Sequence, residues 1–362
     1  MGNRRVSATV GLIAVAFPLI GAFAADPLPF GPETDPTAFC QAVDAAFERS
    51  DFDTLDATIK SARTLEARFS GGQTELEGLY RTLISGAFPG YQMSRKDEVI
   101  LGRVKKLEAW RARKSDPVAP AIILASLWDA YAWVARGDSY ANQVPRDRWP
   151  IFFDRIKTAS TYMQSIDPSI DPEAYSVLLE LARDFNRPRA EIDAVFNAAR
   201  HKFPTYFSYY KDYVTLLEPN WFGRPGDIPR FLQDLRTESN GETGAVAYAY
   251  AAEILTFHMA GPDVFRSTGL DWDEVQRTFQ VREKAYGLSP EAWNAFCYLA
   301  VVSGDRAKAR EYYRHAAPHL TEWPRWPGGT TGDFYLRVQP WIMARDADLP
   351  GASDGPLSRG SN

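Results

Sequence analysis

The stretch Ser289–Ala316, SPEAWNAFCYLAVVSGDRAKAREYYRHA, constrains the fold more than any other part of the chain. It reads as two antiparallel helices joined at Gly304-Asp305. Trp293 is a large residue near the start, and Cys297, four positions on, is the small residue where two helix backbones approach closely. Gly304 takes the turn, where a left-handed backbone is needed. Ala309, Tyr313 and Ala316 then give the second helix a small–large–small stripe for packing on the first. One such pair cannot bury its own apolar face, so stacked neighbours are required.

Similar patterns recur along the chain. Asp35-Pro36 is an N-cap with proline in the first turn, followed by Phe39, Val43 and Phe47 at helical spacing. Phe52, Leu55, Ile59, Ala62 and Phe69 predict one helix from Asp51 to Phe69, ended by Gly71-Gly72. Further helices are expected at about 75–88, 94–113, 147–166, 172–185, 187–203, 205–217, 228–235, 243–257 and 271–286. In the 187–203 helix, Ala190, Ala194 and Ala198 or Ala199 supply the small-residue stripe. Pro117–Gly137, PVAPAIILASLWDAYAWVARG, is the most apolar segment; Asp129, Arg136 and two prolines mark it as a central core helix and not a membrane span. Arg136-Gly137-Asp138 reads as a helix end with a glycine cap. No segment shows sustained period-two alternation. The spacing of the opening stretch resembles a tetratricopeptide repeat, a helix–turn–helix unit of about 34 residues. The expected fold is therefore all-α, a tetratricopeptide-repeat-like solenoid of stacked hairpins over residues 36–345.

Residues 1–24 are set apart from that fold. Arg4-Arg5 precede the apolar run Val10–Phe23, and Ala22-Phe23-Ala24 is a small-x-small cleavage site, the pattern of a general secretory signal peptide. Losing this segment removes two arginines and takes the net charge from −5 to −7. Residues 25–35 (ADPLPFGPETD) read as a Pro-rich linker, and 346–362, polar and rich in Gly, Ser and Pro, as a disordered tail. The expected location is the periplasm or the exterior, with no membrane span after signal cleavage. Basic residues are scattered, which with the acidic balance excludes nucleic acid as the main partner. Only Cys40 and Cys297 are present; several hairpins apart in an open stack, they are expected to form no disulfide.

Three segments carry a family resemblance: ERSDFDTLDATIKSARTLEARFSGGQTELEGLY (48–80), YAWVARGDSYA (131–141) and LLEPNWFGRPGDIPRFL (216–232). They resemble an uncharacterised bacterial family, catalogued as a domain of unknown function, whose members are helical, similar to tetratricopeptide proteins and in many cases exported. That family usually shows Pro-x-Trp-Gly-Gly where this chain has Pro219-Asn220-Trp221-Phe222-Gly223, so Phe222 stands in place of a glycine. The resemblance implies the fold and an exported location, and leaves function open.

No catalytic motif appears, and neither a cofactor nor a metal is expected. His315 and His319 have the spacing of a metal pair, but no acid stands between them as in H-E-x-x-H, and Pro318 breaks the helix. There is no G-x-S-x-G elbow and no phosphate loop. Glu173, Glu180 and Glu191 are candidate paired carboxylates, although acids on helices ordinarily face solvent. Asp51, Asp53 and Asp56 complement a helix start.

Aromatic residues carry the stronger signal. Tyr131, Trp133, Tyr206, Tyr209, Tyr210, Tyr213 and Trp221 crowd the middle of the chain, with Arg136 and Arg224 nearby. Tyrosine, tryptophan and arginine are the usual anchors at interfaces. We expect Trp221 and Arg224 on a loop at the mouth of a concave surface lined by Tyr131, Trp133, Arg136 and Tyr209. The function expected is non-enzymatic binding of another protein or peptide. The alternatives are an enzyme with a dispersed site in the groove, acting on a cell-wall or peptide substrate, and carbohydrate binding through Trp323, Trp326 and Trp341. Convergent carboxylates in one deep pocket favour the enzyme; a broad aromatic groove without perturbed acids favours the binder.

Overall fold

A computed structural model describes residues 25–31, 34–86, 97–137, 139–237, 241–258, 263–322 and 331–344. The expected signal peptide and tail, and Trp323 and Trp326, lie outside the described residues. The described chain is all-α, without a β-strand. In order, the helices are α1 (Pro36–Glu48), α2 (Phe52–Ala62), α3 (Glu75–Ser85), α4 (Asp97–Ala112), α5 (Val118–Arg136) and α6 (Arg148–Met163). Then come α7 (Glu173–Asp184), α8 (Arg189–Lys202), α9 (Ser208–Leu216), α10 (Asp227–Thr237) and α11 (Glu242–His258). The last are α12 (Asp263–Thr268), α13 (Trp272–Tyr286), α14 (Pro290–Ser303), α15 (Arg306–Ala316) and α16 (Thr331–Met343).

Local chemistry sets the boundaries. Asp35, Thr74, Asp271, Ser289 and Asp305 each accept an N–H from the first turn of the following helix, satisfying a donor that has no partner within the helix. Gly304 ends α14 at φ +82°, as the turn requires. Cys297 is fully buried where α14 meets α15, its Sγ 3.6 Å from the Ala309 carbonyl. In α15 the buried stripe is Ala309, Tyr312 and Ala316. Tyr312, not Tyr313, is the buried member: both keep helical spacing with Ala309 and Ala316, and Tyr313 is half-buried. In α8 the inward face is Ile192, Phe196 and Ala199, while Ala190, Ala194 and Ala198 are exposed. Phe196, stacked on Tyr213 at 3.9 Å, fills the contact with bulk where small residues were expected. Helix α5 is long and apolar enough to cross a bilayer, but most of its apolar window is buried inside the protein.

Helices α5 and α6 pack together, as do α7 and α8, α10 and α11, and α14 and α15. A second set of contacts joins α3 to α5, α5 to α7, α7 to α9 and α9 to α11, making an inner row. The row curls back on itself. The Gly71 N–H donates to the Tyr286 carbonyl (2.9 Å), and the Gly71 carbonyl accepts from the Tyr250 hydroxyl (2.6 Å) and Arg282 Nε (3.1 Å). Arg68 donates to the Thr205 carbonyl at 2.9 Å and lies 4.9 Å from the centre of the Tyr286 ring. The helix expected across 51–69 therefore stops at Ala62. Leu65 takes φ +61°, and residues 66–72 serve as the strap that meets α11, α13 and the start of α14. Residues 25–31 have no regular structure but pack inward: Leu28 N–H donates to Thr58 Oγ1 (2.9 Å), and Phe30 sits edge-on to Phe39 and Phe69. Cys40 and Cys297 are free thiols.

Candidate functional site

Helix α7 organises the centre of the curl. Glu173, Ser176, Glu180 and Asp184 stand three, four and four residues apart and share one stripe of the helix. Ala174, Tyr175, Val177, Leu179, Leu181 and Ala182 are buried around them, so the acids face other helices and not bulk solvent. Facing them are Asp129 and Trp133 of α5, Glu77 of α3 and Asp212 of α9; Lys211 of α9 lies beside Asp212 and reaches Glu77 and the Tyr250 ring. Glu173, Glu180, Lys211 and Asp212 are half-buried; Asp129, Asp184 and Glu253 are buried.

Acceptors outnumber donors here. Arg183 forks onto Asp184 at 2.7 and 3.2 Å and lies 3.8 Å from Asp129 Oδ2. Asp129 Oδ1 is buried without a hydrogen-bond partner, and the buried Ser176 hydroxyl is directed at Asp212. Burial, with Asp184 and Glu180 adding, pushes the Asp129 carboxyl well above the usual range, while Arg183 opposes. Burial likewise lifts Glu180 to about 7; Arg183 opposes, and Asp212 and Asp184 add. Asp212 rises to about 6 by burial, with Ser176 and Lys211 opposing and Glu77 adding. Glu173 is raised well above its ordinary value by burial, although the Tyr206 hydroxyl donates to it. Burial alone would lower Lys211, but Glu77, 3.5 Å away, and Glu253 hold its pKa up. The centre thus holds two carboxyls that exchange protons near neutrality and a surplus of acceptors suited to a cation. Among the described residues, no group of three or more His, Cys, Asp or Glu is placed to hold a metal ion.

These shifts set a pH dependence. Glu180 and Asp212, and Glu75, which burial lifts to about 7, bind their protons more tightly folded than unfolded. Their stabilisation is complete below about pH 4, the unfolded carboxyl range, and is lost as pH rises through about 6 to 7. Asp227 is held low by the Arg224 N–H, Arg189 and Arg230 against the effect of its burial, and Glu274 is held low by Arg277; both change only at the acid end. The melting temperature should therefore fall between pH 5 and pH 8, with Glu180 alone contributing about 2–3 kcal/mol. Glu180→Gln should flatten the profile measured by circular dichroism. A melting temperature that rises over this interval would contradict the assignment.

An aromatic rim lies beside this centre. Trp133 Nε1 donates to Asp184 Oδ2 at 3.0 Å. Trp221, 40% exposed, meets Trp133 edge to face at 6.2 Å. The Arg183 guanidinium lies 5.0 Å from one ring and 5.5 Å from the other, linking rim to acids. Arg136 covers the outer side of Trp133 at 4.6 Å and donates to the Gly137 carbonyl at 2.9 Å. Trp133, Arg136 and Trp221 therefore lie together. Tyr131 and Tyr209 do not line a surface. Tyr131 is buried under Arg155, which sits 3.2 Å from its ring centre. Tyr209 is fully buried, its hydroxyl donating to the Ala199 carbonyl at 3.2 Å. Arg224 is exposed on the loop after Trp221, and its backbone N–H donates to Asp227 Oδ2 at 2.9 Å.

Of the candidate carboxylate set, Glu173 and Glu180 converge, whereas Glu191 is exposed on α8 beside a separate cavity of about 350 Å³. His315 is exposed and stacks on Trp293 at 4.0 Å, and Trp341 packs against the core. Sequence reasoning missed Arg183, Asp184, Lys211 and Asp212. The available signal was the regular spacing of acids on a helix with almost no other polar face. Comparison of the chain with known family models, curated proteins and solved structures finds no match.

Proposed function

We propose that this chain is an exported bacterial envelope protein of stacked, tetratricopeptide-repeat-like hairpins that holds a segment of a partner protein in its curled inner face. It belongs, on this reading, with the uncharacterised helical family that its sequence resembles. Export is supported by the basic and apolar N-terminus with its small-residue cleavage site. The observation that carries the binding role is the joining of the Trp133–Trp221 rim to the acids of α7 and α9 through Arg183. Rigid aromatic anchors beside a polar, half-open floor make a recognition surface.

A second reading, an enzyme acting on a cell-wall or peptide substrate, is favoured by Glu180 and Asp212, whose pKa values of about 7 and 6 suit general acid–base work. Capture from an envelope extract, followed by mass spectrometry, tests the proposal. Trp221 is exposed and makes one ring contact, so Trp221→Ala should cost only about 1 kcal/mol of stability but about 2 kcal/mol or more of partner binding. Arg224→Ala should leave the melting temperature unchanged and weaken capture. Undiminished capture by both variants would remove this rim from the binding surface. Turnover of peptidoglycan fragments or peptides that is abolished by Glu180→Gln would favour the enzyme.

A further inference from the structure

We propose that the strap after α2 is an open docking edge, to which a short extended segment of another polypeptide, alternating apolar and basic residues, adds as a strand. The site shares no residue with the Trp133–Trp221 rim and does not depend on it. A cavity of about 670 Å³ is lined by residues 66–70 of the strap, by Phe30 and Gly31, and by Ala285 and Tyr286 at the end of α13. The strap is extended here and pairs with the segment entering α3. Phe69 N–H donates to the Gln73 carbonyl at 2.9 Å, and Glu75 N–H to the Ala67 carbonyl at 3.0 Å. Those two bonds flank Arg68. Its own N–H and C=O therefore point the other way, since successive residues of an extended chain alternate. Among the described residues, neither group has a hydrogen-bond partner. A cavity over one face of the strap would touch every second residue. This one touches five in a row, so it follows the free edge.

The two walls of the groove differ. Phe69 faces Phe30, with ring centres 4.9 Å apart, so that wall is apolar. Arg68 faces the opposite way, its guanidinium 4.9 Å from the centre of the Tyr286 ring. Glu66 shares the Arg68 face by the same alternation. It is exposed and makes no ion pair among the described residues. The Arg68 guanidinium is already bound to the Gly72 and Thr205 carbonyls, so Glu66 is the uncommitted charge of the groove. A strand laid along the edge sends alternate side chains to the two walls. Apolar ones meet Phe30, and basic ones meet Glu66 and the Tyr286 ring. Main-chain bonds to Arg68 give affinity, and the walls give selectivity. The occupant is a single slender segment: an edge recessed between two walls is out of reach of the same recessed edge on a second copy.

The test is calorimetric titration of the mature protein with the capped pentapeptide Val-Lys-Phe-Lys-Val. The capped peptide Lys-Lys-Phe-Val-Val, of equal composition without the alternation, should bind at least tenfold more weakly. N-methylation separates strand addition from insertion of side chains, because only every second amide of a strand faces the strap. Methylating either the two lysine amides or the amides of the third and fifth residues should cost about tenfold in one case, from lost main-chain bonds, and little in the other. Gly31→Trp places bulk at a lining position where a Cβ meets nothing within 4 Å. It should weaken binding at least tenfold and leave the melting temperature unchanged. Glu66→Lys should abolish the preference for the lysine peptide over capped Val-Gln-Phe-Gln-Val. Trp221→Ala should keep both affinity and preference. No binding by the parent protein, equal effects of the two methylations, or undiminished binding by both Gly31→Trp and Glu66→Lys overturns the proposal. Self-association of the protein that the pentapeptide reverses makes a second copy the occupant and overturns the partner assignment.

Discussion

Replacing Arg282 with alanine should destabilise the protein by about 3–5 kcal/mol, because it strips a buried charge of its partner. The Arg282 side chain is 2% exposed. It donates to Glu253 Oε2 at 2.5 Å and to the Gly71 carbonyl at 3.1 Å, and its guanidinium lies 3.7 Å from the centre of the Tyr250 ring. One side chain thus joins α13 to α11 and to the strap that follows α2. Alanine leaves the buried Glu253 carboxylate with only the more distant Lys211 as a counter-charge, and the Gly71 carbonyl with one donor fewer. Arg282→Met, which keeps the stem and removes the charge, should cost nearly as much. The Arg282→Ala/Glu253→Ala double variant should cost less than the two single changes together, since the stranded charge is gone. Urea denaturation measures each change. A loss below about 1 kcal/mol for Arg282→Ala would show that the strap does not depend on this residue.

Gly223→Ala should be at least as disruptive, costing about 3 kcal/mol or more, for a steric reason. A Cβ at this position would lie 1.7 Å from the Leu217 carbonyl oxygen and 2.3 Å from its carbon. Both are backbone atoms, so no rotamer change relieves the overlap. The turn is closed by Phe222 N–H donating to the Leu216 carbonyl (3.2 Å) and Gly223 N–H to the Glu218 carbonyl (3.1 Å). Phe222 is accommodated in the turn because its side chain packs against the core. Opening the turn would displace Trp221, so the variant should also lose rim-dependent capture. Gly226→Ala is the control: it has open space but φ +90°, and should cost about 1 kcal/mol. A melting temperature for Gly223→Ala within about 2 °C of the parent would contradict the close approach.

The two variants also mark what a sequence reader sees and misses. Gly223 lies in NWFGRPG, where glycine and proline break a helical pattern, so the turn was legible and Trp221 beside it was a natural candidate. Arg282 was not legible. Its partners lie on α11 and in the strap, and periodicity carries no information about contacts so distant in sequence. The strap illustrates the same limit: Phe69 falls in step with Leu55, Ile59 and Ala62, yet it packs on Phe30 and Phe39 from a non-helical segment. Among the predicted site residues, Trp133 and Trp221 meet, but Tyr131 and Tyr209 are spent on packing. A tyrosine on an apolar stripe looks the same in sequence whether its hydroxyl finds a ligand or, as for Tyr209, a backbone carbonyl. In sequence Glu173 and Glu180 look like solvent-facing acids, since acids on helices usually face water, and Asp212 of α9 carries no signal at all. Only the curl turns that stripe inward.

The strap at Gly71 also bears on how the protein comes apart. A linear stack of hairpins unzips from its termini, each unit releasing its neighbour, so local opening is easiest at both ends. Here residues 68–72 are tied to Thr205, Tyr250, Arg282 and Tyr286, so the first helices border the middle and late ones directly. Releasing α1–α3 means parting all of those contacts at once. Among the described residues beyond Ser289, no hydrogen bond reaches back to the strap. Amide exchange should therefore be lopsided, quickest in α15 and α16 and slow on the N-terminal side, with the helices between strap and seam giving way together.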